Sequence, residues 1–180
     1  MRALRGKDGL LVYLDFDGVL HHENVRRHPR RGVYLVAPQG FTLFQHAGLL
    51  EALLAPYPPI QVVLSTSWVR VLSYSRAVKR LPPALQRRVI GATYHSAMNA
   101  DAFAVLPRGV QVLDDVERRQ PRRWIALDDD GAGWPNALRD HLVLTDERDG
   151  LSPHAIQEEI RNKLAAMCEG AAGHFQHAGR

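Results

Sequence analysis

LVYLDFDGVL, residues 11–20, sets an apolar run against two aspartates one residue apart, with a glycine after them. An apolar run of this length, closed by a turn signal, reads as a buried strand. Two carboxylates at the end of a buried strand are costly unless something pairs with them. Side by side they repel by roughly 4 kcal/mol at about 4 Å and an effective dielectric near 20. A hard cation with oxygen ligands, such as Mg²⁺, relieves both costs. The plain alternative is an Asp-rich turn closing an ordinary strand, with Gly18 supplying a positive φ.

The rest of the chain bears on that choice. Two further apolar runs end in polar triplets: IQVVL (60–64) runs into Ser65-Thr66-Ser67, and WIAL (124–127) into Asp128-Asp129-Asp130. Helix-like stretches separate the runs. Phe41–Ala55 carries Leu43, Ala47, Leu50 and Leu54 on one face and is closed by Pro56, Pro58 and Pro59. Val69–Leu81 and Arg108–Arg119 read as helices, and Ala84–Val89 as a helical turn or two. A last helix follows Ser152, an expected N-cap, with Pro153 as first helical residue and Ile156, Ile160, Leu164 and Met167 as its stripe. Residues 90–94 and 142–145 read as short strands, whereas 95–107 show no clear period.

Strands alternating with helices predict a three-layer, Rossmann-like α/β fold, a parallel sheet with helices on both faces. In such sheets ligands bind beyond the carboxyl ends of the strands. If the three strands are parallel neighbours, their polar triplets meet at one edge.

Size and composition agree with this. At 180 residues, 46% hydrophobic and 23% charged, the chain suits one soluble domain with a real core. The expected boundaries are 1–168 for that domain, 1–9 for a frayed lead-in and 169–180 for a disordered tail. Residues 21–40 are too short for a domain of their own and read as a small flap, with GVYLVAP as a short strand. The apolar stretches are strand-sized, so no membrane span is expected. With no signal-peptide pattern, a cytoplasmic protein is the expectation. The lone Cys168 excludes an internal disulfide and reads as a core or surface thiol. A net charge of +4 favours anionic partners. Much of it comes from arginine pairs such as 26/27, 30/31, 87/88, 118/119 and 122/123, read as solvated.

Carboxylates from two strands could hold one Mg²⁺ and leave positions for water and a phosphate oxygen. Hydroxyls of the middle triplet could bond that phosphate. One carboxylate could attack phosphorus, and a second, two residues on, could protonate the leaving oxygen. A cation is still needed against the charge that spreads over the phosphate.

The three strand ends, in this order, resemble the haloacid dehalogenase (HAD) superfamily of phosphohydrolases. Leu14-Asp15-Phe16-Asp17-Gly18-Val19 matches its first motif, Val62-Val63-Leu64-Ser65-Thr66-Ser67 its second, and Ile125-Ala126-Leu127-Asp128-Asp129 its fourth. The resemblance frames residues 10–150. STSW, LDDD and LTDERDGLSP further resemble small capless members related to the HAD domains of RNA-repair proteins, which implies an open site with a minimal cap or none.

The resemblance implies a Mg²⁺-dependent phosphatase. Asp15 would be the nucleophile and Asp17 the general acid/base. Thr66, with Ser67 beside it, would bind the phosphoryl group, and Ser65 would do so if the register is off by one. Asp128 and Asp129 would complete the metal site with Asp15 and Asp17, the last through its backbone carbonyl. Arg108 is favoured as the phosphate-neutralising cation, with Lys79 the rival. Trp68 and Trp134 read as packed core, and His21, His22 and His28 as solvated or structural. The substrate, a phosphorylated small molecule or a nucleic-acid end, stays open, and no obligate protein partner is evident. A phospho-acceptor signalling domain, a glycosyl transferase with a DxD clamp, and a non-catalytic nucleic-acid-binding domain are the alternatives. The first places its nucleophile on a middle strand, and the second its DxD after several strands. The third leaves the carboxylates without a use.

Overall fold

The structure, a computed structural model, describes residues 4–169. Its strands are β1 (Leu10–Leu14), β2 (Val25–His28), β3 (Gly32–Leu35), β4 (Ile60–Leu64), β5 (Val89–Ala92), β6 (Arg123–Asp128) and β7 (Leu142–Leu144). Its helices are α1 (Ala47–Leu54), α2 (Ser67–Leu72), α3 (Tyr74–Val78), α4 (Pro83–Arg88), α5 (Ala100–Ala104), α6 (Arg108–Arg119) and α7 (His154–Glu169), with a 3₁₀ turn at Asn136–His141. Five strands form a parallel sheet in the order β5-β4-β1-β6-β7, and β2 and β3 form a separate antiparallel hairpin.

Alternation along β1 builds the layers. Leu10, Val12 and Leu14 enter a large core with Leu50 and Leu54 of α1, Trp68 and Val69 of α2, and Ile160 and Leu164 of α7. Leu11 and Tyr13 face the other way, into a smaller core with Val112 of α6, Trp124 and Trp134. Because side chains alternate with period two, Asp15 and Asp128 continue the rows that face α6. The sheet order reverses at β1: the chain builds outward through β4 and β5, then returns to place β6 on the other flank. The crevice at such a reversal is where ligands enter this class of sheet.

Several local expectations shift for identifiable reasons. The first helix begins at Ala47 rather than near Phe41, because Phe44 takes a φ of 60°. The expected helix at 69–81 is two short ones, broken at Ser73, whose φ is 101°. In the last helix Pro153 rather than Ser152 is the cap: its carbonyl accepts from Gln157, while the Ser152 hydroxyl donates to Asp149. Residues 4–9 are not a frayed lead-in, since the Asp8 amide donates to the Gln120 carbonyl at 3.0 Å. The expected tail lies outside the described residues, apart from Glu169, which closes α7.

The arginine pairs divide. Arg26, Arg30, Arg31 and Arg122 are exposed, as expected. Arg88 instead donates to the carbonyls of Leu54, Tyr57 and Ile60, tying the turn after α1 to the start of β4. Arg119 is buried on Asp115 at 2.6 Å, with Arg118 on the other oxygen and the Tyr13 hydroxyl donating to Asp115 as well. A Cβ on Gly91 would lie 2.7 Å from the Arg119 guanidinium, so the missing side chain makes room for it.

Candidate active site

Register brings the polar triplets together. Leu14 pairs with Leu64 on one side and Leu127 on the other. The next residues, Asp15, Ser65 and Asp128, therefore stand in one row. The Ser65 amide donates to the Leu14 carbonyl at 2.8 Å and the Asp15 amide to the Leu127 carbonyl at 3.1 Å. Carboxylate oxygens of Asp15, Asp128 and Asp129 lie within 4.8 Å of one another.

Three carboxylates this close, two of them almost fully buried, hold their protons tightly. Burial raises the pKa of Asp15, with Arg108 opposing and Asp17 adding to the shift. Burial and then the charge of Asp15 raise Asp128 well above the ordinary carboxylate range. Asp129 is pushed up to about 7, again by burial first and Asp15 next.

Arg108 is the positive charge in this group. As the first residue of α6, on the face the two acids share, it donates from Nη2 to Asp15 Oδ2 at 3.0 Å. Its Nε lies 3.3 Å from Asp128 Oδ2 but off the line of a hydrogen bond, so both atoms stay unpartnered. Burial pulls the Arg108 pKa down, yet the surrounding carboxylates, Asp15 and Asp128 foremost, with Asp130 and Asp129, more than reverse this, and the net shift is upward. Gln111, buried one turn on, accepts from Arg108 Nη1 at 3.1 Å. Its own amide donates to the carbonyls of Phe103 and Leu106, which fixes it. Lys79, the rival cation, is exposed at the end of α3 and makes no ion pair among the described residues.

The hydroxyl triplet opens α2. Thr66 is the N-cap, its Oγ1 accepting from the Trp68 amide, and it lies close enough to Asp15 to favour that group's charged form. The buried Ser65 hydroxyl has no partner among the described residues, while Ser67 and Asp17 line one cavity.

Asp17 is held apart from the three acids. Its Oδ1 accepts from Trp68 Nε1 at 2.9 Å and from His21 Nε2 at 3.0 Å. The Phe44 amide donates to His21 Nδ1, which leaves the ring proton on Nε2 for Asp17. His21 is fully buried, edge-on to Phe44 and Trp68, so it is structural as expected, but it orients a site residue. Trp68 and Trp134 are packed core, and the Trp68 indole also carries a donor to the site.

Two further supports flank the carboxylates. A Cβ on Gly18 would come within 2.0 Å of Asp129 Oδ2, and its φ is 67°, so only glycine lets the loop pass this carboxylate. Thr145, just past β7, donates from Oγ1 to the Gly18 carbonyl at 2.8 Å. Neither His21 nor Gln111 belongs to a local pattern that singles it out, and Thr145, although within LTDERDGLSP, carries no sign there of its bond to Gly18. Each is recognisable only through a partner distant in the fold or through its burial.

A divalent cation fits these residues. The unpartnered Asp128 Oδ2 and the upward shifts of all three carboxylates describe a donor set short of positive charge.

A parallel sheet whose central strand ends in Asp-x-Asp, with hydroxyls ending one neighbour and paired acids the other, defines a HAD-type α/β domain. Residues 11–156 match the family model described as the HAD domain in Swiss Army Knife RNA repair proteins, and the chain belongs to that family. No curated protein and no solved structure gives a match. Among the described residues, no helix is long and apolar enough to cross a membrane.

Proposed function

We propose that this protein is a Mg²⁺-dependent phosphomonoesterase that works through an aspartyl-phosphate and acts on a nucleotide or a nucleic-acid end. The observation that carries the reading is the convergence of Asp15, Asp128 and Asp129, with Arg108 reaching two of them. Asp15, Asp128, Asp129 and the Asp17 backbone carbonyl would hold the metal. When bound, it offsets carboxylate repulsion and polarises a phosphate oxygen.

An Asp15 carboxylate oxygen attacks phosphorus, and the bond to the ester oxygen breaks as Asp17 gives that oxygen a proton. Asp17 then takes a proton from water, whose oxygen attacks phosphorus and frees Asp15. The hydrogen bonds from Trp68 and His21 to Oδ1 leave the other Asp17 oxygen for the proton. Thr66 and Ser67 donate to the transferred group, and Arg108 offsets its charge.

The nucleic-acid part of the reading is supported by the family's place in RNA repair proteins and by the exposed Arg26, Arg30 and Arg31. The test is phosphate release from p-nitrophenyl phosphate, mononucleotides and phosphorylated oligonucleotides, with Mg²⁺ and with chelator. Activity is expected with the metal and lost in Asp15→Asn. Equal rates in wild type and Asp15→Asn across all substrates overturn the proposal and favour a non-catalytic nucleic-acid-binding domain.

A further inference from the structure

Beside Asp17 lies a cavity of about 150 Å³ that the catalytic scheme does not use. One wall is the hairpin, with Val25, Arg26, Arg27 and Val33; the other is α2, with Trp68, Val71 and Leu72. Asp17 and Ser67 line it as well. Its volume is below the roughly 300–1,000 Å³ that encloses a drug-sized ligand, so it suits one ring system rather than a whole nucleotide.

Both hairpin arginines line it, and the hairpin register separates them. Val25 pairs with Leu35 and Arg27 with Val33, and side chains alternate across a strand. Val25, Arg27, Val33 and Leu35 therefore share one face, and Val25 and Val33 on that face pack against the large core. Arg26, paired with Tyr34, starts from the opposite face and lines only the edge that it shares with Arg27. Arg27 has no ion-pair partner among the described residues.

A second groove, about 1230 Å³, continues on the far side of α2 and shares Val71 and Leu72 with the first. The exposed Arg5, Arg70 and Tyr74 line it, whereas Arg118 and Arg119 there are committed to Asp115. An apolar slot with a free guanidinium, opening across a low ridge into a longer basic groove with an aromatic ring, matches a chain of rings joined by phosphates.

We propose that the cavity between the hairpin and α2 holds the terminal base of a phosphorylated single strand, whose terminal hydroxyl is the leaving group. Arg27 contacts the next phosphate along, and the strand continues over Val71. This rests on the phosphatase reading above. It places the leaving oxygen at Asp17, the group assigned to protonate it, and makes the hairpin the part that selects the substrate.

The test compares kcat/KM of the full chain with Mg²⁺ on p-nitrophenyl phosphate, a phosphopeptide, a mononucleotide and a phosphorylated oligonucleotide of about eight residues. The wild type is expected to prefer the oligonucleotide. Arg27→Ala should lower its kcat/KM about tenfold, mainly through KM, and cut the salt dependence of log kcat/KM by about one. Arg27→Lys should restore part of the loss, and p-nitrophenyl phosphate should fall much less. Val71→Glu, on an exposed position, should repel the same strand and repeat the pattern.

An active enzyme whose Arg27→Ala and Val71→Glu variants lower all substrates alike, or none, overturns the assignment of this cavity. So does a preference for the phosphopeptide. A wild type that releases phosphate from no substrate overturns the phosphatase reading and this inference with it.

Discussion

Trp68 and Asp17 are 51 residues apart in the chain, and the indole Nε1 donates to Asp17 Oδ1 at 2.9 Å. The tryptophan is 4% exposed, wedged edge-on against Phe16, Phe44 and His21, so the donor cannot swing away. A core residue thus sets the direction of the carboxyl group proposed to shuttle the proton.

Trp68→Phe keeps most of the packing and removes the donor. It is expected to lower kcat about tenfold, about 1.4 kcal/mol of activation free energy, with a smaller change in KM. Steady-state kinetics beside a thermal melt check this. A fall in KM-dependent binding with kcat intact would show that the indole does not act through Asp17.

Gly18→Ala places a methyl group where Asp129 Oδ2 lies and puts an L-residue at φ 67°. The backbone cost alone is roughly 1–3 kcal/mol. Asp129 must also move, so metal-dependent activity should fall further than the loss of stability explains. Calorimetric titration with Mg²⁺ on the folded variant measures that part directly.

Arg108 spans two carboxylates, and a shorter or neutral side chain cannot. Arg108→Gln should lower kcat/KM about a hundredfold to a thousandfold, as for loss of one strong electrostatic donor. Arg108→Lys should recover only part, because an ammonium cannot reach both acids as a fork. Gln111→Ala, which frees Arg108 Nη1, should fall between wild type and Arg108→Lys. Full activity in Arg108→Gln would point to another cation.

Stability should depend on pH through the three acids. In the folded protein Asp129 is pushed up to about 7, by burial and then by Asp15, while the unfolded chain releases that proton near 3.8. A folded pKa above the unfolded one means stability that is fully present below about pH 4 and is lost as pH rises toward 7. Asp15 and Asp128 shift in the same direction. The metal-free protein should therefore melt at a lower temperature at about pH 7.5 than at about pH 5. Mg²⁺ favours the charged carboxylates, so the rise in Tm it gives should grow with pH. A rise independent of pH would mean that the ion binds elsewhere.

The sheet was legible because its strands are buried on both faces. LVYL and WIAL are continuous apolar runs and IQVVL is broken only by the half-buried Gln61, the near-continuous form of parallel strands covered by helices. Arg108–Arg119 could be read as a helix from Gly109 at its start, and the structure forms it over those residues. The hairpin strand at Val25–His28 was not foreseen: Arg-Arg-His gives no alternation, because only Val25 on that strand reaches the core. The break at Ser73 was missed because no glycine or proline marks it.

The grouping of Asp15, Asp128 and Asp129 was readable because each follows directly from an apolar run. Arg108 over Lys79 could be ranked only by its place before a helix, and the alternation that turns Asp15 and Asp128 toward α6 explains the contact. The hold of His21 and Trp68 on Asp17 could not be read. It depends on how Phe44 and the start of α2 pack, and no linear spacing encodes that.

The matched ladder on both sides of β1 makes assembly of the site indivisible. Sliding either neighbouring strand by one residue would turn its terminal polar group toward the opposite layer. No half-formed intermediate of this sheet can therefore carry a weakened version of the chemistry. Recovery of turnover during refolding should coincide with the last central strand locking into place, and metal affinity should appear at the same moment.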